Sequence, residues 1–239
     1  MLTVIIPTYE EAENIEPLLR RLAAVAPALG DAIEVLIVDN GSSDGTADRA
    51  RELLGRVVPG RLVPGRHRMD LASAVIEGIR QAQGRVIAVM DADLSHPPEL
   101  LPELYRAVER GADVAVASRY VRGGGVARWP LRRRALSRTG NWLVRPLAGV
   151  RDATSGYFAC RTHFVKPLPL SAAGFKILLE ILVKGRPRRV QEIPYVFTDR
   201  QRGSSKLSGR TLKLFAAHAA RLYAYRWRQR AAAGREARP

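Results

Sequence analysis

The chain has 239 residues, of which 46% are hydrophobic, 6% aromatic and 26% charged, a balance that excludes a disordered chain and describes one soluble globular unit with a short appendage. Its one cysteine, Cys160, excludes a disulfide framework and any site built from several thiolates, and fits a reducing, cytosolic setting. Lysine and arginine number 39 against 23 aspartates and glutamates, and the resulting formal charge of +16 calls for anionic partners: nucleic acid, phospholipid or phosphorylated substrates.

Along the chain, short apolar runs at Leu2–Ile6, Ile33–Val38, Arg85–Met90 and Asp113–Ala117 read as buried strands, separated by stretches of helical spacing. Asp44 precedes a helix over Thr46–Leu54, Ser95 precedes one over Pro97–Arg110, and Gly84 and Gly111 are read as closing two helices. This rhythm predicts an α/β sheet, mostly parallel, in the first half. A Gly-rich turn at Gly123–Gly125, a basic helix over Arg132–Leu147, a polar loop over Arg151–Gly156, a helix over Phe175–Lys184 and a strand over Val190–Phe197 follow. Residues 1–205 are expected to form one domain. The stretch 206–239 holds nine basic side chains and one acidic one. Within it, Leu212, Phe215, Ala219, Leu222 and Tyr223 recur at helical spacing, which predicts a basic amphipathic helix, either packed on its own domain or lying on an anionic membrane surface. The longest apolar stretches, around Ile33–Val38 and Leu212–Tyr225, fall short of the ~20 residues that cross a bilayer, and the N-terminus shows no charged leader. The chain is therefore expected to be neither spanning nor exported by a signal peptide.

In an open parallel sheet, ligands bind beyond the carboxyl ends of the strands, and three polar clusters fall there: Pro7 to Glu11, Asp39 to Gly45, and Asp91-Ala92-Asp93. In an extended segment, side chains two apart point the same way, so Asp91 and Asp93 are candidates to face one Mg²⁺ or Mn²⁺ whose shell is completed by diphosphate oxygens and water. Taken singly, Asp-x-Asp also reads as a helix-capping loop, and Asp39 to Gly45 as an Asx turn. There is no dinucleotide fingerprint and no Walker-type loop, so phosphates must be held by metal and basic side chains. Arg119, after the fifth strand, and Arg200, Arg202 and Lys206, in a Gly/Ser loop, are the basic candidates, with ordinary surface charge as the alternative. The histidines His67, His96, His163 and His218 show no metal spacing and read as structural, and Cys160 reads as a small buried residue. No nucleic-acid module is visible.

The segments VIIPTYEE, VDNGSSDGTA, SAVIEG, VMDADLSHPPEL, ASRYVRGGG, WPLRRRALSR, RDATSGY and DRQRGSSKLSG, in that order, closely resemble the dolichol-phosphate mannosyltransferases of the inverting glycosyltransferase family 2. The resemblance runs to about residue 208 and implies a GT-A nucleotide-sugar transferase fold, with residues 1–120 as the nucleotide and metal half and 121–205 as the acceptor half. It implies that Pro7, Tyr9, Glu11, Val38, Asp39 and Asn40 line the base and ribose, and that Ala92 touches the nucleotide. Asp91 and Asp93 would hold the Mg²⁺ or Mn²⁺, while Arg119, Arg200 and Lys206 would contact phosphates, with Asp91, Asp93 and Arg119 carrying catalysis. The implied reaction is transfer of mannose, with inversion, from GDP-mannose to a polyprenyl phosphate. A UDP-sugar donor and a catalytically silent relative are the alternatives.

The resemblance also implies a protein peripheral to the cytoplasmic face of an anionic membrane, with a membrane-anchoring partner subunit as the competing way of meeting the lipid. Departures from the family pattern at three places in the sequence bear on donor preference. Asn40 stands where a second aspartate is usual, Glu10 where asparagine is usual, and Asp70-Leu71-Ala72 where the family has Gly-Leu-Gly.

Overall fold

The computed structural model describes residues 1–30, 33–65, 70–127, 129–171, 176–198 and 209–236. The N-terminal run LTVIIPT forms strand β1 (Leu2–Thr8), every residue of which is buried, as expected of a central strand covered on both faces. After helix α1 (Ala12–Val25) come β2 (Ile33–Asp39), α2 (Thr46–Leu53), β3 (Gly60–Pro64), α3 (Leu71–Gln81), β4 (Val86–Val89), α4 (Leu101–Glu109) and β5 (Val114–Ser118). A short β6 (Gly125–Val126) leads to the long α5 (Leu131–Ala148), followed by β7 (Phe158–Arg161), α6 (Thr162–Val165), α7 (Ile177–Gly185), β8 (Val190–Pro194), β9 (Val196–Phe197) and α8 (Gly209–Glu236).

Among the described residues, the main sheet has seven strands in the order β3-β2-β1-β4-β7-β5-β8. All neighbours are parallel except β7, which runs antiparallel between β4 and β5, with Phe158 opposite both Val89 and Val116. The mostly parallel sheet flanked by helices is the expected fold class. Alternate residues of β1 feed two cores: Val4 and Ile6 pack with α1 and α4, whereas Ile5 packs with α3 and shares its cluster with residues of α7 and α8. Gly78 on α3 is required by that packing, because a Cβ there would lie 2.3 Å from Ile5 Cγ2. Helix α8 docks through Phe215, His218, Ala219 and Leu222, while Leu212 and Tyr223, counted in the same apolar stripe, remain well exposed.

Several local expectations change. The two weak strands β3 and β7 were not expected, and the single strand over Val190–Phe197 is two, broken at Tyr195. Gly111 has φ +103 and does close α4, its N–H donating to Val108 O at 3.0 Å. Gly84 does not close a helix; it lies where a Cβ would come 2.8 Å from Met1 O and Thr3 N, so close approach of two backbones selects it. Ser95 is not a helix cap either, since its hydroxyl is spent on Asp93. Among the described residues no helix is long and apolar enough to cross a membrane.

Candidate active site

The carboxyl ends of β1, β2, β4 and β5 open on one side of the sheet. Because β7 runs backwards, the loop before it returns residues 152–157 to that same side. There the chain encloses a cavity of about 1150 Å³.

One end of the cavity is built from the loops after β1 and β2, which are hydrogen-bonded into one unit. Asp39 Oδ2 accepts from the N–H groups of Gly41 (3.1 Å) and Ser42 (3.0 Å), and its Oδ1 accepts from Ser42 Oγ (2.6 Å) and Thr8 Oγ1 (3.1 Å). Asp44 ties the starts of two helices together: Oδ1 accepts from Thr46 N (3.0 Å) and Oδ2 from Ala12 N (3.0 Å). Although desolvation works the other way, the bond from the Thr46 hydroxyl (2.5 Å) together with these two holds its carboxyl below the usual value. Glu10 takes φ +56, a left-handed conformation in which asparagine is more at home, and its N–H donates to Ser42 Oγ at 2.8 Å. Pro7, Tyr9 and Glu11 reach the cavity wall, with Leu71 and Val75 of α3. The other predicted base-pocket residues sit differently. Val38 is fully buried in the core, Asp39 is spent on its own loop, and Asn40 N donates to Thr8 O at 2.9 Å. Asp70 caps α3, its Oδ1 accepting from Ser73 N at 2.8 Å, so the residue that departs from the family pattern has a local structural task.

The middle of the cavity belongs to the segment after β4. Asp91 lies on the wall with its side chain 35% exposed, while Asp93 and Ala92 are buried. Asp93 Oδ1 accepts from Ser95 N (3.1 Å) and Ser95 Oγ (2.5 Å). Asp91 N donates to His96 Nδ1 at 2.9 Å, which assigns the ring proton to Nε2. Burial keeps His96 below its ordinary value despite the pull of Asp91 and Asp93, and the ring stacks on Tyr157 at 5.0 Å. Of the described histidines read as structural, His96 is therefore the one that also shapes this wall, a role its position five residues after Asp91 only hinted at.

Gly156 faces this carboxylate: a Cβ there would sit 3.6–3.7 Å from the Asp91 oxygens and 3.2 Å from His96 Cε1. Its absence leaves room in front of Asp91. Among the described residues no cluster of three or more His, Cys, Asp or Glu side chains gathers to hold a metal alone. The Asp91 carboxylate faces that open space, and a hard carboxylate there fits a divalent cation that shares its shell with ligand oxygens, while Asp93 lies buried behind the wall.

The far end is cationic and then apolar. Arg119, after β5, forms a two-pronged ion pair with the fully buried Asp152: Nε–Oδ2 is 2.8 Å and Nη2–Oδ1 2.7 Å, and Arg119 N also donates to Oδ2 at 2.9 Å. Burial alone would lower the guanidinium, but the bonds and charge of Asp152 raise it above its ordinary value. Trp129 stands between Arg119 and Arg133, with the Arg133 guanidinium 4.0 Å from its ring. Tyr120 Oη donates to Ser137 Oγ (2.6 Å), and Asn141 and Thr154 exchange two hydrogen bonds. Lys176 Nζ donates to Thr154 O at 3.0 Å; burial, with Arg119 adding, pushes it down to about 8 against Asp152 and Asp91. Beyond these, Leu136 and Leu143 of α5 and Leu212, Phe215 and Ala216 of α8 make the wall apolar.

Sequence reading missed Asp152 and Lys176 as site residues. The polar segment RDATSGY was the available signal for the first, and a lysine at the start of an apolar helix for the second. Arg200, Arg202 and Lys206, like His67, lie outside the described residues.

With this geometry in view, the comparison with known proteins is direct: residues 3–166 match the model of "Glycosyl transferase family 2". The chain belongs to that family. It is 42% identical over 224 residues to a dolichol-phosphate mannosyltransferase of Pyrococcus furiosus, covering 92% of this chain and 63% of that one, so it spans somewhat less than two thirds of this relative's length. It is 34% identical to the Saccharomyces cerevisiae dolichol-phosphate mannosyltransferase, with 94% of this chain and 88% of the relative covered. It is 40% identical to the polyprenol monophosphomannose synthase of Mycolicibacterium smegmatis, with 88% and 82% covered. Among solved structures, a mannosyltransferase from Pyrobaculum calidifontis in complex with GDP-Man and Mn²⁺ shares the fold at TM-score 0.65 and 21% identity, covering 95% of this chain and 64% of that one. A Mycobacterium tuberculosis glucosyl-3-phosphoglycerate synthase with Mn²⁺, UDP and its product does so at TM-score 0.68 and 18% identity, covering 95% and 79%.

Proposed function

We propose that this family 2 member transfers mannose from GDP-mannose to a polyprenyl phosphate, inverting the anomeric carbon. The observation that carries this reading is the grading of one cavity from hydrogen-bonded acidic loops, through the Asp91 carboxylate, to the cations Arg119, Lys176 and Arg133 and an apolar wall. That order matches a nucleotide diphosphate sugar at one end and a phosphate on an apolar chain at the other. The relatives named above support mannose and the polyprenyl acceptor.

Pro7, Tyr9 and Glu11 would hold the nucleoside from the wall, and the loops fixed by Asp39 and Asp44 would keep that wall rigid. Val38, Asn40 and Ala92 would contribute through backbone and loop shape. Asp91 and Asp93 would hold a divalent cation, Mg²⁺ or Mn²⁺, which when bound supplies charge neutralisation for the leaving diphosphate. A phosphate monoester is already anionic at neutral pH, so its oxygen can attack the anomeric carbon without a side-chain base. What it needs is orientation, and each well-placed electrostatic partner is worth about 3 kcal/mol of barrier. Arg119 orients while its charge is balanced by Asp152; Lys176 and Arg133 supply the positive excess that draws the acceptor in. Arg200 and Lys206 are assigned to phosphate contacts from their motif.

Exposed Leu131, Leu214 and Trp227 (72%), with the surrounding arginines, support working at an anionic membrane surface.

The test is a transfer assay with purified protein, Mn²⁺ or Mg²⁺, polyprenyl phosphate and radiolabelled GDP-mannose beside UDP-glucose. Metal-dependent lipid-extractable label from GDP-mannose is expected. Label from UDP-glucose alone would change the donor, and label from neither would remove the activity.

A further inference from the structure

The ion pair of Arg119 and Asp152 joins two segments whose sheet pairing stops short of both residues. Arg119 follows β5 and Asp152 lies in the loop leading to β7, while the ladder between those strands reaches only as far as Val116 opposite Phe158. A third segment closes the gap. In the edge strand β8, Ile193 turns into one core, so by the alternation of a strand Glu192 turns to the opposite face. There its carboxylate accepts three hydrogen bonds: Oε1 from Ser118 Oγ (2.8 Å) and Asp152 N (3.1 Å), and Oε2 from Arg151 N (2.9 Å). Ser118 is fully buried and directly precedes Arg119, and its hydroxyl oxygen also accepts from Tyr120 N at 3.3 Å. The residues on both sides of Arg119 are thereby tied to one carboxylate.

We propose that Glu192 is a positioning residue for Arg119: a single side chain of the edge strand sets the backbone on which each partner of the ion pair stands, and so sets where the guanidinium points in the cavity. The proposal rests on the reading of Arg119 as the group that orients the acceptor phosphate, and adds what orients Arg119. The two-pronged pair fixes the two side chains relative to each other, yet by itself leaves them able to shift as a unit. Glu192 ties that unit to the sheet. A carboxylate that only capped a turn would bond within a few residues of itself, whereas the donors here lie 74, 41 and 40 positions away. Glu192 does not line the cavity, so its effect on a ligand has to pass through the residues it holds. It also lies outside every segment that carries the family resemblance, and only the fold brings it to the site.

The test uses the full chain. Glu192→Ala removes all three bonds, and its KM for undecaprenyl phosphate is expected to rise about tenfold, as for lost hydrogen bonds to a charged group, with the donor KM unchanged. Glu192→Gln keeps a carbonyl oxygen for Ser118 and Asp152, and is expected to return the acceptor KM to within about twofold of the wild-type value. A role in stability alone would reduce the amount of active protein, lowering kcat and leaving both KM values where they were. That result, an equal rise in both KM values, or a glutamine variant no better than alanine would overturn the proposal. Ser118→Ala removes one bond and a single oxygen atom, which keeps the question decidable if Glu192→Ala does not fold: the acceptor KM should rise about threefold, and no rise would overturn the proposal.

A second measurement needs no substrate. Solvent exchange of the Arg119 Nε–H, followed by NMR, is expected to be slow in the wild type and in Glu192→Gln, and about tenfold faster in Glu192→Ala and Ser118→Ala. Equal rates in all four proteins would overturn the proposal. Because exchange requires neither donor nor acceptor, a protein that shows this pattern but transfers no mannose would lose the transfer reading and keep Glu192 as the residue that positions Arg119.

Discussion

The two ends of the cavity are built on opposite plans. At the end formed after β1 and β2, short loops leave parallel strands and are fixed by carboxylates that accept from backbone N–H groups, as Asp39 and Asp44 do. At the far end, helix faces carry the wall, and polarity gathers around one buried knot of Arg119, Asp152, Thr154 and Asn141, with Arg133, Ser137 and Lys176 beside it. The contrast is between acidic groups that shape loops near the surface and an acidic group that exists to compensate a buried cation. Removing a carboxylate should therefore cost chemistry where it faces the cavity, as at Asp91, and stability where it balances a buried cation, as at Asp152.

Substitutions at Asp91 and Asp152 can break that contrast. Asp91→Asn is expected to lower transfer by about 10²–10³-fold while leaving the denaturation midpoint nearly unmoved, because Asp91 is fixed through its backbone N–H to His96 rather than through its carboxylate. A wild-type rate would remove Asp91 from the metal site. Asp152→Asn should do the reverse in order of magnitude, destabilising the fold by about 3–5 kcal/mol in urea titration by leaving Arg119 buried without its counter-charge. A loss below about 1 kcal/mol would show that Arg119 finds compensation elsewhere.

A smaller effect follows from Lys176. Its folded value of about 8 lies below the ordinary 10.5, so the fold disfavours the charged form. That cost is fully present below pH 8 and is relieved as pH rises toward 10.5, where the unfolded chain also loses the proton. The cation itself is lost above pH 8, so the KM for the acceptor should climb between pH 8 and 9.5, and Lys176→Met should flatten the profile at a uniformly raised KM. A wild-type profile that stays flat across this range would exclude Lys176 from acceptor binding. The smallest effect concerns Asp70: Asp70→Ala should cost about 1 kcal/mol of stability through the lost helix cap, with the donor KM unchanged. A changed donor KM would place Asp70 at the donor instead.

The strands that were legible in the sequence are those buried on both faces, β1, β2, β4 and β5, since continuous apolar runs need no partner to be recognised. β3 reads GRLVP and β7 reads FACR, too short and mixed to signal a strand until neighbours supply their hydrogen bonds. The acidic cluster at the site was visible because it follows strands directly. Asp152 was not, because its partner Arg119 is 33 positions away and the pairing is a product of topology. Ser95 misled for a related reason: a serine before a helix reads as a cap, yet a carboxylate two residues back competed for its hydroxyl. Leu212 and Tyr223 were grouped with the buried stripe of α8 because periodicity records a face but not how much of that face is covered.

The reversed strand β7 has one more consequence. It enters at the ligand side and leaves at the opposite rim, so everything from residue 121 to residue 151 is an excursion that departs from and returns to the same rim without taking a place in the main sheet. Such an excursion can be lengthened, shortened or exchanged with the strand order left intact. The scaffold thus carries this part of the cavity wall on a replaceable cassette, whose anchor points are Arg119 before it and Asp152 behind it.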